Sequence, residues 1–332
     1  MSHQTLKMSL GFIAVVALVL VLSGSAWANV VIDGSGHGAS YDITTGAHTS
    51  PDIRNDSGVL NGTLNQSGDA TVTGNVRLGY GQYSAEGETD IYNISGGTVN
   101  TSSFHLMSEN QAFAAGCSGL LSISGGTFTT TDTNPQWGGQ GAKATIAVSG
   151  TGTFNWDVTP GYNLWAQTDQ HFEVTGGNAT MNFGLNFYFD NGNRAIGGMK
   201  FTLTNSTGRI STIWVKGTSY DFDLSNVGNV GKIDVSEAEI GLVTIGQKFD
   251  LLKIDQGLNI MVPVADGLIT GANRLLKTNQ ERLDWSLSVV PNKNSLGYDV
   301  LELTALTPEP ATMALLAIGG LGMLIRRRRS SK

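Results

Sequence analysis

The chain has 332 residues, 44 of them glycine, with one cysteine, 14% charged residues and a net charge of −7. A single cysteine excludes an internal disulfide framework and a cysteine-ligated zinc site. The acidic balance argues against nucleic acid and anionic lipid as partners.

Residues 1–28 carry the marks of a secretory signal. Lys7 supplies the positive start, Leu10 to Leu22 form an uninterrupted apolar run, and Ala26-Trp27-Ala28 is a small-x-small cleavage site. Signal peptidase is therefore an expected partner, and the mature chain is expected to begin at Asn29. The apolar run is too short for an ordinary membrane anchor. Lys7, Arg326 to Arg329 and Lys332 hold six of the twenty basic residues, and Glu309 holds one of the 27 acids. The remaining body thus has 14 basic and 26 acidic side chains, about −12 in all.

From residue 29 to 200 the dominant feature is self-similarity. Ile94-Ser95-Gly96-Gly97-Thr98-Val99-Asn100 returns as Ile123-Ser124-Gly125-Gly126-Thr127-Phe128-Thr129. Val148-Ser149-Gly150-Thr151-Gly152-Thr153-Phe154-Asn155 and Val174-Thr175-Gly176-Gly177-Asn178-Ala179-Thr180-Met181-Asn182 repeat it again. Weaker copies start at Leu64 and Leu203. A period of 25–30 residues signals stacked units, none of which buries its apolar face alone. Within a unit, Ile94 is expected inside, Ser95 outside, the glycine pair at a turn and Val99 inside again. Each unit also has a second short apolar stretch, such as Phe104-His105-Leu106-Met107, Tyr162-Asn163-Leu164-Trp165 or Leu185-Asn186-Phe187-Tyr188-Phe189. No segment from 29 to 300 has a persuasive helical period, and Gly271 to Leu283 is the nearest to one. The pattern predicts an all-β chain: a right-handed parallel β-helix of about six coils, with an antiparallel β-sandwich as the alternative. The repeated phrase also loosely resembles the passenger regions of autotransporter-like surface proteins.

Beyond Phe201 the phrase fades, and apolar and polar residues alternate as they do in antiparallel strands. Residues 201–307 are expected to form a β-rich cap over the open end of the stack.

Residues 308–332 read Pro308-Glu309-Pro310, an uncharged run from Ala311 to Ile325, then Arg326, Arg327, Arg328 and Arg329. The run predicts one short transmembrane helix over 311–325, about 22 Å long at the helical rise per residue. The arginines resist translocation and place the end in the cytoplasm. The tripeptide, short apolar run and arginine cluster in this order resemble the PEP-CTERM sorting signal. That resemblance implies recognition by an integral-membrane exosortase in bacteria that make extracellular polysaccharide. The same segment is sometimes named for ice-binding proteins, a label that describes the tail and says nothing of ice.

Chemistry is sparse. His3, His37, His48, His105 and His171 lack metal-pair spacing. The Gly34-Ser35-Gly36-His37-Gly38-Ala39 stretch has a dinucleotide-like spacing but no following helix, and Gly138 to Lys143 lacks P-loop spacing. Parallel β-helices can carry polysaccharide lyases or glycosidases, whose chemistry needs clustered carboxylates. Asp132, Asp157, Asp169, Glu173 and Asp190 are candidates, although their offsets in the repeat differ and solvated turns explain them better. Threonine-rich strands such as Thr127-Phe128-Thr129-Thr130-Thr131 and Ala70-Thr71-Val72-Thr73 could form ranks that bind ice or glycan on a flat face, but threonine is also a good solvent-facing strand residue, which is the favoured reading. Trp137, Trp156 and Trp165 are candidates for stacking on sugar, with packing in the core as the default for tryptophan. Cys117 is expected to be a small buried hydrophobe.

These features predict an exported, non-enzymatic surface or matrix protein with no cofactor and no metal. Its sorting residues are Pro308, Glu309, Pro310 and Arg326 to Arg329, and its cleavage residues are Ala26, Ala28 and Asn29. It would be anchored at least transiently by its tail, then lie at the cell surface or outside, with extracellular polysaccharide as a partner. The alternatives are a carbohydrate-active enzyme or a glycan- or ice-binding module on the same scaffold.

Overall fold

In the computed structural model the described residues are 28–32, 40–53, 62–78, 89–107, 117–133, 136–137, 142–157, 163–165, 170–176, 178–184, 186–188, 198–204, 212–215, 222–223, 233–239, 242–255, 260–261, 264–265, 268–269, 276–278, 284–293 and 297–306. Among them every regular element but a 3-10 residue at Lys293 is β, as the sequence leads one to expect.

Two long sheets carry the fold. The shorter, of nine strands, runs Ser40–Ile43, Thr63–Gln66, Thr89–Ile94, Ser118–Ile123, Lys143–Val148, Gln170–Thr175, Gly198–Leu203, Ile233–Glu237 and Leu276–Thr278. The longer begins Ala28–Ile32, Ala47–Ile53, Thr71–Leu78, Thr98–Leu106, Thr127–Thr130, Thr153–Trp156, Thr180–Phe183, Thr212–Val215 and Lys248–Asp255. All of these neighbours pair in parallel. Because the chain alternates between the sheets and each strand pairs with its counterpart one repeat away, the body is a β-solenoid.

Parallel pairing in both sheets excludes the antiparallel sandwich. The number of coils is not six, because segments without the repeated phrase also stack. Ser40–Ile43 lies parallel to Thr63–Gln66 ahead of the repeats, and Gly198–Leu203, Thr212–Val215 and Ile233–Glu237 continue the stack past residue 200. Alternating apolar and polar residues show which face of a strand is buried, and parallel and antiparallel strands share that pattern. Antiparallel order begins only where Lys248–Asp255 meets Tyr298–Leu306, which in turn pairs with Asp284–Val290. Those strands cover the last parallel strand of the longer sheet, which would otherwise expose unpaired backbone groups.

The repeated phrase forms the corner between the sheets. Ile94 is buried, Ser95 is exposed, and Val99 is buried on the next strand. Gly97 and Gly126 turn the chain at φ +76° and +71°, a left-handed conformation accessible mainly to glycine. A Cβ at Gly126 would also lie 2.5 Å from the carbonyl oxygen of Gly97 in the coil below. Stacking hydrogen bonds join successive corners. Ser95 N donates to Gln66 O at 2.8 Å, Ser124 N to Ile94 O at 2.8 Å and Ser149 N to Ile123 O at 2.8 Å.

Inside, side chains of one type of position form rows along the stack. Val72, Val99, Phe128, Phe154, Met181, Ile213 and Leu252 follow one another in register and all are buried. The rings of Phe128 and Phe154 stack at 5.6 Å, and Phe172 from the shorter sheet meets Phe183 edge-on at 5.1 Å. Full burial of each such side chain is worth about 1.5–3 kcal/mol. Cys117 is buried in this core.

The apolar stretches within the repeat have two fates. Phe104 and Leu106 end the Thr98–Leu106 strand, whereas Asn163–Trp165 and Asn186–Tyr188 pair in parallel as a small separate sheet. Of the Gly271 to Leu283 segment, Leu276–Thr278 is a strand.

Candidate functional site

The candidate carboxylates do not form a cluster among the described residues. Asp132 is buried, and its Oδ2 accepts a hydrogen bond from Phe104 N at 2.7 Å. Its own carbonyl accepts the indole N–H of Trp156 at 3.0 Å. Asp132 thus closes a corner between coils rather than facing solvent. Asp157 is exposed after its strand, and its backbone N–H bonds Thr130 O at 2.8 Å. Glu173 lies 3.5 Å from Lys200 Nζ on the outer face of the shorter sheet. Asp169 and Asp190 lie outside the described residues. Among the described residues no three His, Cys, Asp or Glu side chains are grouped to hold a metal ion.

The tryptophan candidates divide similarly. Trp156 is fully buried, packed edge-on against Phe104 at 6.1 Å and Phe154 at 6.0 Å. Trp137 and Trp165 occupy short strands paired to His105-Leu106 and to Asn186–Tyr188 respectively. Of the histidines, His48 and His105 have Nε2 3.0 Å from Thr45 O and Ser103 Oγ, both local partners.

The outer face of the longer sheet is the most regular chemical surface. Thr71, Thr98, Thr127, Thr153, Thr180 and Thr212 follow one another in register across six strands. Two residues further along each strand, a second row reads Thr73, Asn100, Thr129, Asn155, Asn182 and Trp214. The two rows differ in their bonding. Asn182 Nδ2 donates to Asn155 Oδ1 at 2.8 Å, and Asn155 Nδ2 donates to Thr129 Oγ1 at 3.4 Å. In the first row only Thr212 has a hydroxyl partner among the described residues, donating to Asp250 O at 2.8 Å.

The outer face of the shorter sheet differs. Asp42, Asn65, Asn93, Ser122, Ala147, Glu173, Lys200 and Asp234 are in register there. Asn93 Nδ2 donates to Asn65 Oδ1 at 2.9 Å, and Asn65 Nδ2 to Asp42 Oδ1 at 2.8 Å. Farther up, the row alternates in sign through Glu173, Lys200 and Asp234.

Two polar arrangements, one buried and one built around the buried carboxylate of Glu302, were not read from the sequence. Gln66 sits inside the stack, where its Oε1 accepts the hydroxyl of Tyr92 at 2.5 Å and its Nε2 donates to Ala70 O at 3.0 Å. Burial pushes the Tyr92 hydroxyl well above the usual tyrosine range, so it stays a donor at any physiological pH. At the antiparallel end, Lys293 bonds both Asp250 and, at 2.7 Å, Glu302, while Lys248 bonds Glu302 at 2.7 Å. Burial pushes the Glu302 carboxyl up, but the hydrogen bonds and charges of Lys248 and Lys293 outweigh it and hold the group below its usual range. For Lys293, burial pulls down and the bonds to Asp250 and Glu302 push up, with a net rise. The signal in the sequence was faint, because the partners lie up to 54 positions apart.

The terminal sites fall largely outside the described residues: residues 1–27 with Ala26, and residues 307–332 with Pro308, Glu309, Pro310, Arg326 to Arg329 and the expected 311–325 helix. Ala28 and Asn29 begin the Ala28–Ile32 strand. Among the described residues no helix is long and apolar enough to cross a membrane.

Comparison with known proteins bears on the tail. Residues 306–329 match the PEP-CTERM protein-sorting motif. No curated protein and no solved structure matches the chain. The chain therefore combines a β-solenoid body with a PEP-CTERM sorting motif, which implies export and membrane-associated sorting toward the cell surface.

Proposed function

We propose that this is a non-enzymatic protein of the cell surface or extracellular matrix, whose β-solenoid serves as a stiff adhesive spacer. The match of residues 306–329 to the sorting motif is the observation that supports the surface location in this reading. The motif implies processing by an exosortase-type membrane protease. A signal peptide over 1–28, cut before Asn29, and a hydrophobic anchor over 311–325 fit the same route. The body supports a mechanical role: parallel hydrogen bonding and an apolar interior give a stack that rises about 4.8 Å per coil.

The in-register threonine row favours binding over catalysis as the activity of the body. An enzyme reading would need carboxylates brought together, and Asp132, Asp157 and Glu173 are each committed elsewhere or apart.

Fractionation of cells producing the native chain and a Pro308→Ala/Pro310→Ala variant tests the proposal, with mass spectrometry of both mature ends. The native chain should begin at Asn29, reach the surface or medium, and lose its arginine cluster. The variant should remain in the inner membrane with its tail intact. Full-length native protein in the cytosol would overturn the proposal.

A further inference from the structure

We propose that the row Thr71, Thr98, Thr127, Thr153 and Thr180 is a docking line for a linear, uncharged polysaccharide lying along the stacking axis. This deepens the adhesive reading above and rests on it. Three observations converge on this ligand class.

The first is charge. The two rows from Thr71 to Asn182 hold ten side chains, all Thr or Asn, on a body of about −12. The matching row on the other sheet carries Asp42, Glu173, Lys200 and Asp234. An acidic polymer would meet long-range repulsion from such a body, and none of these ten side chains is a compensating cation, Arg77 and Lys253 lying beyond them on the same sheet. A neutral polymer meets neither.

The second is bonding. In the second row Asn182, Asn155 and Thr129 are tied to one another, whereas in the first row none of the five threonine hydroxyls has a hydrogen-bond partner among the described residues. Each such hydroxyl both donates and accepts, as a sugar hydroxyl does. From Thr127 to Thr180, one line of available groups beside a row whose members bond one another suits a single chain. A crystalline plane such as ice would call on both rows equally.

The third is repetition. The register is unbroken through these positions, so the five hydroxyls are spaced about 4.8 Å apart over about 19 Å. Single hydroxyl contacts are weak, but a rigid row repeats them along one polymer and gains avidity from their number. A peptide would instead be expected to add to an open sheet edge, since its affinity comes from backbone bonds.

Affinity gel electrophoresis tests the proposal, using the chain as it accumulates in the cell envelope. The gels contain hydroxyethyl cellulose, dextran or laminarin as neutral polymers, or alginate as an acidic one. At least one neutral polymer should retard the protein and alginate should not. A Thr98→Val/Thr127→Val/Thr153→Val variant keeps the shape and branching of the row while removing its hydroxyls. It should bind at least tenfold more weakly with an unchanged melting curve. Thr127→Lys, a single outward change, should weaken binding similarly if the triple variant folds poorly. Lys200→Gln on the other sheet should bind like the native chain. No retardation by any neutral polymer, equal retardation of the threonine variants, or stronger retardation by alginate would each overturn the proposal. So would threonine-dependent inhibition of ice recrystallisation without glycan binding, which would assign the row to ice. Localisation is measured separately, so failure here leaves the export result standing.

Discussion

From Thr89 to Phe183 each strand lies parallel to its counterpart in the next coil, with the same kinds of residue at the same places. From Lys248 to Leu306 the strands run antiparallel, and unique charged contacts join them. The contrast shows two ways of setting register. In the repeats, Gly corners and interior rows set the phase within a coil, and stacking extends it. A slip of a whole coil there would bring similar residues together, so repetition alone does not define where the stack ends. At the end, Glu302 is 4% exposed and lies between Lys248 and Lys293, an arrangement that any shift of the strands would break.

The strongest way to break the comparison is in the shared interior. Phe154→Ala removes a ring stacked on Phe128 and in contact with Phe183, and should cost about 3–5 kcal/mol in urea unfolding. A loss below about 1 kcal/mol would mean that the aromatic row does not hold the coils together.

Glycine at the corner comes next. Gly126→Ala should cost about 3 kcal/mol, since it adds a clash with Gly97 O to a left-handed backbone that alone costs about 1–3 kcal/mol. Gly246, at φ +84°, has open space where a Cβ would be, so Gly246→Ala should show the backbone cost alone. Equal losses at the two sites would remove the stacking contribution.

Lys293→Met attacks the other mode of register. It should cost about 1.5–3 kcal/mol, because it removes hydrogen bonds to two carboxylates and leaves Glu302 to the more exposed Lys248. The pH dependence has a definite sign. Glu302 titrates lower in the folded chain, so its contribution is present above its unfolded value of about 4.3 and is lost as pH falls through the folded value. Lys293 titrates higher, so its contribution is complete below about 10.4 and is lost as pH rises through the folded value. Melting curves across pH should show the acid limb flattened in the Met variant. An unchanged acid limb would place the acid sensitivity elsewhere.

The smallest effect is expected on the outer face. Asn155→Ala breaks the row between Thr129 and Asn182 and should cost about 0.5–1.5 kcal/mol. A larger loss would make that row part of the framework rather than its surface.

The corner phrase could be read from the sequence because its glycines and flanking apolar residues do one local job in every coil. Ile94, Ser95 and Val99 lie where alternation placed them. The continuation of the stack through Ile233–Glu237 could not, because alternation carries no strand direction. The threonine row was legible in part, because Thr98, Thr127, Thr153 and Thr180 hold the same place in the repeated phrase. Its extension to Thr71 and Thr212 was not, because those residues lie outside the clear copies and only the pairing of their strands sets them in register. Asp132 reads as a solvated turn residue by composition, yet it is buried because Phe104 N and the Trp156 indole converge on it from different coils.

Distances measured between paired spin labels test the stacked, in-register body most directly. With Cys117 replaced by Ala, labels are placed at Thr71→Cys and, in turn, at Thr153→Cys, Thr180→Cys or Thr212→Cys. The three pairs are three, four and five coils apart, so backbone separations of about 14, 19 and 24 Å are expected, rising by about 4.8 Å per coil. Distances that fail to rise in equal steps, or that exceed about 40 Å, far beyond what five strand spacings allow, would contradict the solenoid.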